Sequence, residues 1–138
     1  LSALHTRADL LRAVMEGVTF SLRDCLEIFR ELRIPVSGMM ACGGGGSSPL
    51  WRQMLADVFG IPVRTAVSSE GGALGAALLA AVGTGRYATV PEACDAAIHI
   101  KGEHPPVPEN TAAYEPFYAL YRELYPALRS SYAALGRL

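Results

Sequence analysis

The chain reads as an α/β fold in which helices pack on a short sheet. A run of apolar residues at helical spacing fills the first quarter. A short apolar segment then leads into four consecutive glycines and a well-capped helix, and a strand-like alternation around residue 65 precedes a glycine- and alanine-rich helix. Strands alternating with helices bury their apolar sides by layering, which is the physical basis of this class.

Each element follows from local signals. Leu11, Val14, Met15, Val18, Leu22, Cys25, Leu26, Phe29 and Leu32 form one helical stripe, with Arg12, Glu16, Arg23 and Glu27 off it, so one long amphipathic helix should end near Ile34-Pro35. Gly38 to Cys42 reads as a short strand. After Gly43 to Gly46, Ser48 is a favoured N-cap and Pro49 a favoured first helical residue. Leu50, Met54, Leu55, Val58 and Phe59 recur helically, and Gly60 sits where a left-handed residue ends the helix. From Pro62 to Val67, Val63, Thr65 and Val67 alternate with Arg64 and Ala66 as a second strand. Glu70 to Val82 reads as a helix. Gly71 and Gly75, like Gly72 and Ala76, leave one of its faces bare, a pattern that suits close packing on the sheet. Lys101 to Asn110, with Pro105, Pro106 and Pro108, reads as an extended loop. Tyr114, Phe117, Tyr118, Tyr121, Leu124, Tyr125 and Leu128 then form a helical stripe that Pro126 should kink or restart, continued by Tyr132 and Leu135. The aromatic residues suit a helix laid across the domain with hydroxyls at its wet edge better than a stacking platform.

Composition narrows the function. The chain has 138 residues, 51% of them apolar, and a formal charge of −1, the size of one domain. It carries no basic footprint for nucleic acid and no polybasic membrane patch, and charges or glycines interrupt every apolar run before membrane-span length. Cys25, Cys42 and Cys94 are odd in number and far apart, which suits buried reduced thiols in a cytosol. His5, His99 and His104 are scattered, so no metal site is expected. No nucleophile–base constellation stands out, and no catalytic residue is assigned. Asp57 reads as a surface or hydrogen-bonded carboxylate, and Glu70 as a complement to a helix dipole.

The glycine run carries the chemistry. A strand, bare glycines and a capped helix let backbone N–H groups approach a phosphate closely. On spacing alone, a plain strand-to-helix turn explains the run equally well. A Walker A loop is excluded because no lysine lies near. A dinucleotide fingerprint is excluded because Ser48 and Pro49 occupy the places of its third glycine, and Glu70 lies too far along for its acidic residue.

The segment from Gly43 to Asp57 resembles the adenosine-binding segment of the FGGY carbohydrate kinases, most closely their xylulokinase branch. Thr6 to Val18 is similar to the family's preceding helix, and Ser69 to Ala77 to its following small-residue helix. The resemblance runs in order over essentially the whole chain. It departs at Gly46, where close relatives usually have alanine, and at Ser47, where they have lysine or arginine.

The resemblance implies a fragment of an actin-like ATPase (ribonuclease H-like) domain. Residues 1–138 would be the C-terminal portion of the second kinase domain: 1–100 an α/β nucleotide-binding part, 101–110 a Pro-rich loop, and 111–138 a C-terminal helical segment. It implies ATP as phosphoryl donor, a sugar such as D-xylulose as acceptor, and Mg held by residues that precede this chain, along with the sugar site and catalytic aspartate. Gly43, Gly44, Gly45 and Gly46 would approach the nucleotide with bare backbone. Ser48 matches a position that faces adenosine in relatives, although its role as N-cap competes with that. A fragment should be inactive alone and expose apolar surface, so a homodimer is among its expected states. Two rival readings are a stand-alone actin-like nucleotide-binding module and a non-catalytic interaction domain.

Overall fold

The computed structural model describes residues 2–68 and 71–137. The elements, in order, are α1 (Arg7–Glu31), β1 (Met39–Met40), α2 (Gly43–Gly46), α3 (Pro49–Phe59), β2 (Val63–Ala66), α4 (Gly71–Gly83), α5 (Val90–Ala97), β3 (Ile100–His104) and α6 (Pro108–Leu135). The sheet has the order β1-β2-β3, with β1 parallel and β3 antiparallel to β2. Helices on a small mixed sheet are the architecture expected. The Glu70 reading lies outside the described residues.

Helix α1 opens on a reciprocal cap that was not foreseen. Thr6 Oγ1 accepts from the Asp9 N–H, and Asp9 Oδ2 accepts from the Thr6 N–H at 2.7 Å. The Thr6 N–H and the Thr6 hydroxyl, both donating to Asp9 Oδ2 at 2.7 Å, hold the Asp9 carboxyl below its ordinary range. The helix ends where expected, but it faces differently. Thr19, Phe20, Arg23 and Leu26 are its buried residues, while Leu11, Val14, Val18, Leu22, Phe29 and Leu32 of the apolar stripe are exposed. Only one edge of that stripe meets the core of this chain.

Helix α3 is the centre of the fold. Ser48 caps it, Pro49 opens it, and Gly60 closes it at φ 66° and ψ 22°. Met54, Leu55, Ala56, Val58 and Phe59 are buried with Phe20, Leu26, Val63 and Tyr118 in one core between α1, α6 and the sheet. Trp51 packs at the edge of this core and donates from Nε1 to Thr19 Oγ1 at 3.0 Å. Helix α6 brings Tyr114, Tyr118 and Tyr121 around the Phe20 ring, with centroids 5.5–6.0 Å away. Tyr118 donates its hydroxyl to Asp24 at 2.7 Å, under the Arg23 guanidinium 4.1 Å from its ring centroid.

Several expectations are corrected. Gly43–Gly46 is wound into one helical turn instead of a bare loop. Lys101 to His104 belongs to β3, because pairing with β2 supplies a ladder, and an Arg64–Glu103 ion pair ties the two strands. Helix α6 starts at Pro108 and runs through both Pro116 and Pro126 without a break. The bare face of α4 is only partly filled: a Cβ at Gly71 would come 3.2 Å from Cys42 Sγ, just past β1, but one at Gly72 or Gly75 would meet nothing within 4 Å, and α5 is the helix's main neighbour. Helix α5 was not anticipated, although its Thr89 cap and Glu92, which accepts from the Ala88 N–H, are a legible start signal. Cys25 and Cys42 are exposed and Cys94 half-buried, all three as free thiols, so burial was the wrong half of that expectation.

Candidate functional site

Beyond the carboxyl ends of the parallel strands β1 and β2 lies a cleft of about 440 Å³. Ala41 and Cys42 lead into it from β1, and Ala66 and Val67 from β2. The glycine turn forms one wall, and Arg52, Lys101 and His104 stand along the rest. Strand ends in α/β sheets are where ligands bind, because the chain turns there leave a crevice between helix starts. No carboxylate lines this cleft among the described residues, whereas Arg52 and Lys101 both do. Its electrostatics therefore suit an anion.

The glycines of the turn have different reasons for lacking side chains. Gly43 lines the cleft and has φ +70°, a conformation that favours glycine. Gly46 also lines it, and a Cβ there would come 3.0 Å from the Ala41 carbonyl carbon. Gly45 is bare because of the core: a Cβ would fall 2.0 Å from Trp51 Cζ3. Gly44 alone has neither constraint, since a Cβ would meet nothing within 4 Å. Neither Gly44 nor Gly45 is among the residues lining the cleft. Ser48 also stands back from it, with Oγ accepting from the Trp51 N–H at 3.4 Å, so its side chain serves the helix cap.

Three functional candidates escape a reading of the sequence: Arg52, Lys101 and His104. Arg52 donates through Nη1 to the Gly46 carbonyl at 2.7 Å and through Nε to His104 Nε2 at 2.9 Å. The latter bond requires a lone pair on His104 Nε2, which puts the imidazole proton on Nδ1. Lys101 and His104 reach the cleft only because β3 exists. For Arg52 a signal was available: it is the fourth residue of a capped helix, on the turn nearest the glycines.

Asp57 is buried and saturated. It accepts from Gln53 Nε2, the Val107 N–H and Asn110 Nδ2 at 2.8–2.9 Å, anchoring the start of α6 as a hydrogen-bonded carboxylate. A second hollow of about 390 Å³ beside it contains Arg12, Glu16 and Tyr114. Those three polar groups are already bonded to one another. Among the described residues, no cluster of three or more histidine, cysteine or carboxylate groups is placed to hold a metal.

Fold and cleft together define an α/β unit with a crevice at its strand ends, lined by Arg52 and Lys101. The chain belongs to the FGGY family of carbohydrate kinases: the model of the family's C-terminal domain matches residues 1–84. Xylulose kinase from Staphylococcus epidermidis is 37% identical over 125 residues, covering 91% of this chain and 25% of that protein. Xylulose kinase from Bacillus subtilis is 35% identical over 135 residues, covering 98% and 27%. Among solved structures, gluconate kinase from Lactobacillus acidophilus superposes with a TM-score of 0.86 at 29% identity, covering 98% of this chain and 27% of that one. Ligand-bound xylulose kinase from the same organism gives 0.84 at 28% identity, with the same coverage. The fold is thus a fragment of the actin-like ATPase fold of FGGY sugar kinases. The chain spans about a quarter of the length of the curated relatives it matches.

Proposed function

We propose that this chain is the nucleotide-binding C-terminal part of a sugar kinase that transfers the γ-phosphoryl group of ATP to a sugar hydroxyl, with D-xylulose as the acceptor. The observation that carries the reading is the cleft beside the glycine turn, lined by Arg52 and Lys101 and, among the described residues, by no carboxylate, in a chain whose relatives are xylulose kinases. Phosphoryl transfer depends on positioning and on charge stabilisation, so groups that hold the nucleotide still contribute to rate. In this assignment Gly43 and Gly46, the two glycines that line the cleft, offer backbone to the nucleotide, and Ser48 fixes the helix behind them. Magnesium, the sugar and the catalytic base are met by the rest of a longer, cytoplasmic protein, in which residues 1–138 form the last part of the second domain.

The surface supports this division. A compact monomer of 14.7 kDa should expose about 6,900 Å², whereas this chain exposes 9628 Å². The excess is larger than a standard protein–protein interface and matches a chain built to be covered. Two assays test the proposal. Isothermal titration of the longer protein with MgATP should show binding that Arg52→Gln weakens. A coupled ADP-release assay with xylulose should show turnover by the longer protein and only background from the 138 residues alone. Reproducible xylulose-dependent turnover from the isolated chain, or no MgATP binding by the longer protein, would overturn the proposal.

A further inference from the structure

We propose that Arg52 is the positioning residue of the cleft: its guanidinium fork sets the pose of the glycine turn, and His104 sets the pose of the fork. The proposal deepens the nucleotide reading above and rests on it. Four glycines in a row have the largest backbone freedom any four residues can have, so their order must be imposed from outside. Within the turn the restraints are local: Ser47 N–H and Oγ to the Gly44 carbonyl, and Ser48 N–H to the Gly45 carbonyl. The first external restraint is the Trp51 indole, which lies flush against Gly45. The second is Arg52, whose charged Nη1 donates to the Gly46 carbonyl at 2.7 Å, a charge-assisted bond of the stronger kind. Its Nε is occupied by His104 Nε2 at 2.9 Å, from β3 on the far side of the cleft. One side chain therefore ties the glycine turn, α3 and β3 together. Two donors held in a fixed planar geometry are needed for that, which a lysine ammonium on a flexible stem does not provide.

The choice of variants separates geometry from charge. In the longer protein, Arg52→Lys keeps the cation and loses the fork. It should raise KM for ATP tenfold or more, as should Arg52→Gln, with kcat at saturating ATP within about threefold of the parent and KM for the sugar unchanged. His104→Gln retains an acceptor and should stay within about threefold in KM for ATP, whereas His104→Leu should lose at least about fivefold. Amide exchange of the segment 42–50, measured without nucleotide, should speed up in Arg52→Gln and in His104→Leu while the melting temperature stays within a few degrees. If Arg52→Lys behaves as the parent, charge and not geometry matters and the proposal falls. It also falls if exchange of the turn is unchanged in Arg52→Gln. Failure of the nucleotide reading looks different: the parent would neither bind MgATP nor turn over, while faster exchange of the turn in Arg52→Gln would still establish the hold of Arg52 on it.

Discussion

At the residue scale, the glycine turn separates two demands that the sequence superimposes. Gly45 is bare for Trp51, because a Cβ would lie 2.0 Å from the indole. Gly45→Val should therefore act on the fold. We expect a loss of about 1–3 kcal/mol, the range for an overpacked site, read as a lower urea midpoint in equilibrium unfolding. Gly44 has open space around it and a φ outside the left-handed region, so Gly44→Ala should leave stability within about 0.5 kcal/mol, or improve it. If the nucleotide passes over that position, the same variant in the longer protein should raise KM for ATP about tenfold, a loss of about 1.4 kcal/mol, without changing KM for the sugar. Unchanged ATP kinetics in a folded Gly44→Ala protein would leave Gly43 and Gly46, which line the cleft, as the glycines that face the nucleotide.

At the element scale, α6 is held to α1 by a small polar cluster as well as by rings. Tyr118 is buried and donates to Asp24, and burial together with that carboxylate pushes its phenol well above the ordinary tyrosine value. The sign of the effect follows from linkage. The folded state keeps the phenolic proton after the unfolded chain has begun to lose it, so this stability is complete below about pH 10 and declines as pH rises beyond it. Tyr118→Phe should cost about 1–2 kcal/mol at neutral pH and should flatten the alkaline decline. Urea midpoints at pH 8 and pH 10.5 would measure both. An equally steep decline in the variant would assign the alkaline sensitivity to another group.

For the molecule as a whole, the apolar surface sets the behaviour. Leu11, Val14, Val18, Leu22 and Phe29 lie along one exposed face of α1, and Leu79 of α4 is also exposed. The nearly unfilled glycine face of α4 adds to the uncovered area. Exposed apolar faces such as that of α1 drive association in water. The isolated 138-residue chain should sediment above its monomer mass of 14.7 kDa at concentrations of tens of micromolar. Val14→Lys combined with Leu22→Lys should shift it toward monomer. A clean monomer at high concentration would show that the chain needs no cover. Among the described residues, no helix is long and apolar enough to cross a membrane.

The sequence by itself determined the elements whose signals are local. Ser48, Pro49 and Gly60 bound α3 because caps and a left-handed stop act within a turn of backbone, and the observed ends agree. The periodicity of α1 and the alternation of β2 were legible for the same reason, and so was the family, through three motifs in order. What tertiary structure decided is non-local. Periodicity showed that α1 has an apolar face but not which side this chain would cover, and Thr19 and Arg23 went inward because Trp51 and α6 were there to meet them. Strand β3 was read as loop because its partner β2 lies some forty positions away. Lys101 and His104 became cleft residues only through that pairing. Arg52 acquired its role where turn, helix and strand converge: a hydrogen-bond donor's chemistry is written in its own residue, but its acceptors, Gly46 and His104, are chosen by the fold.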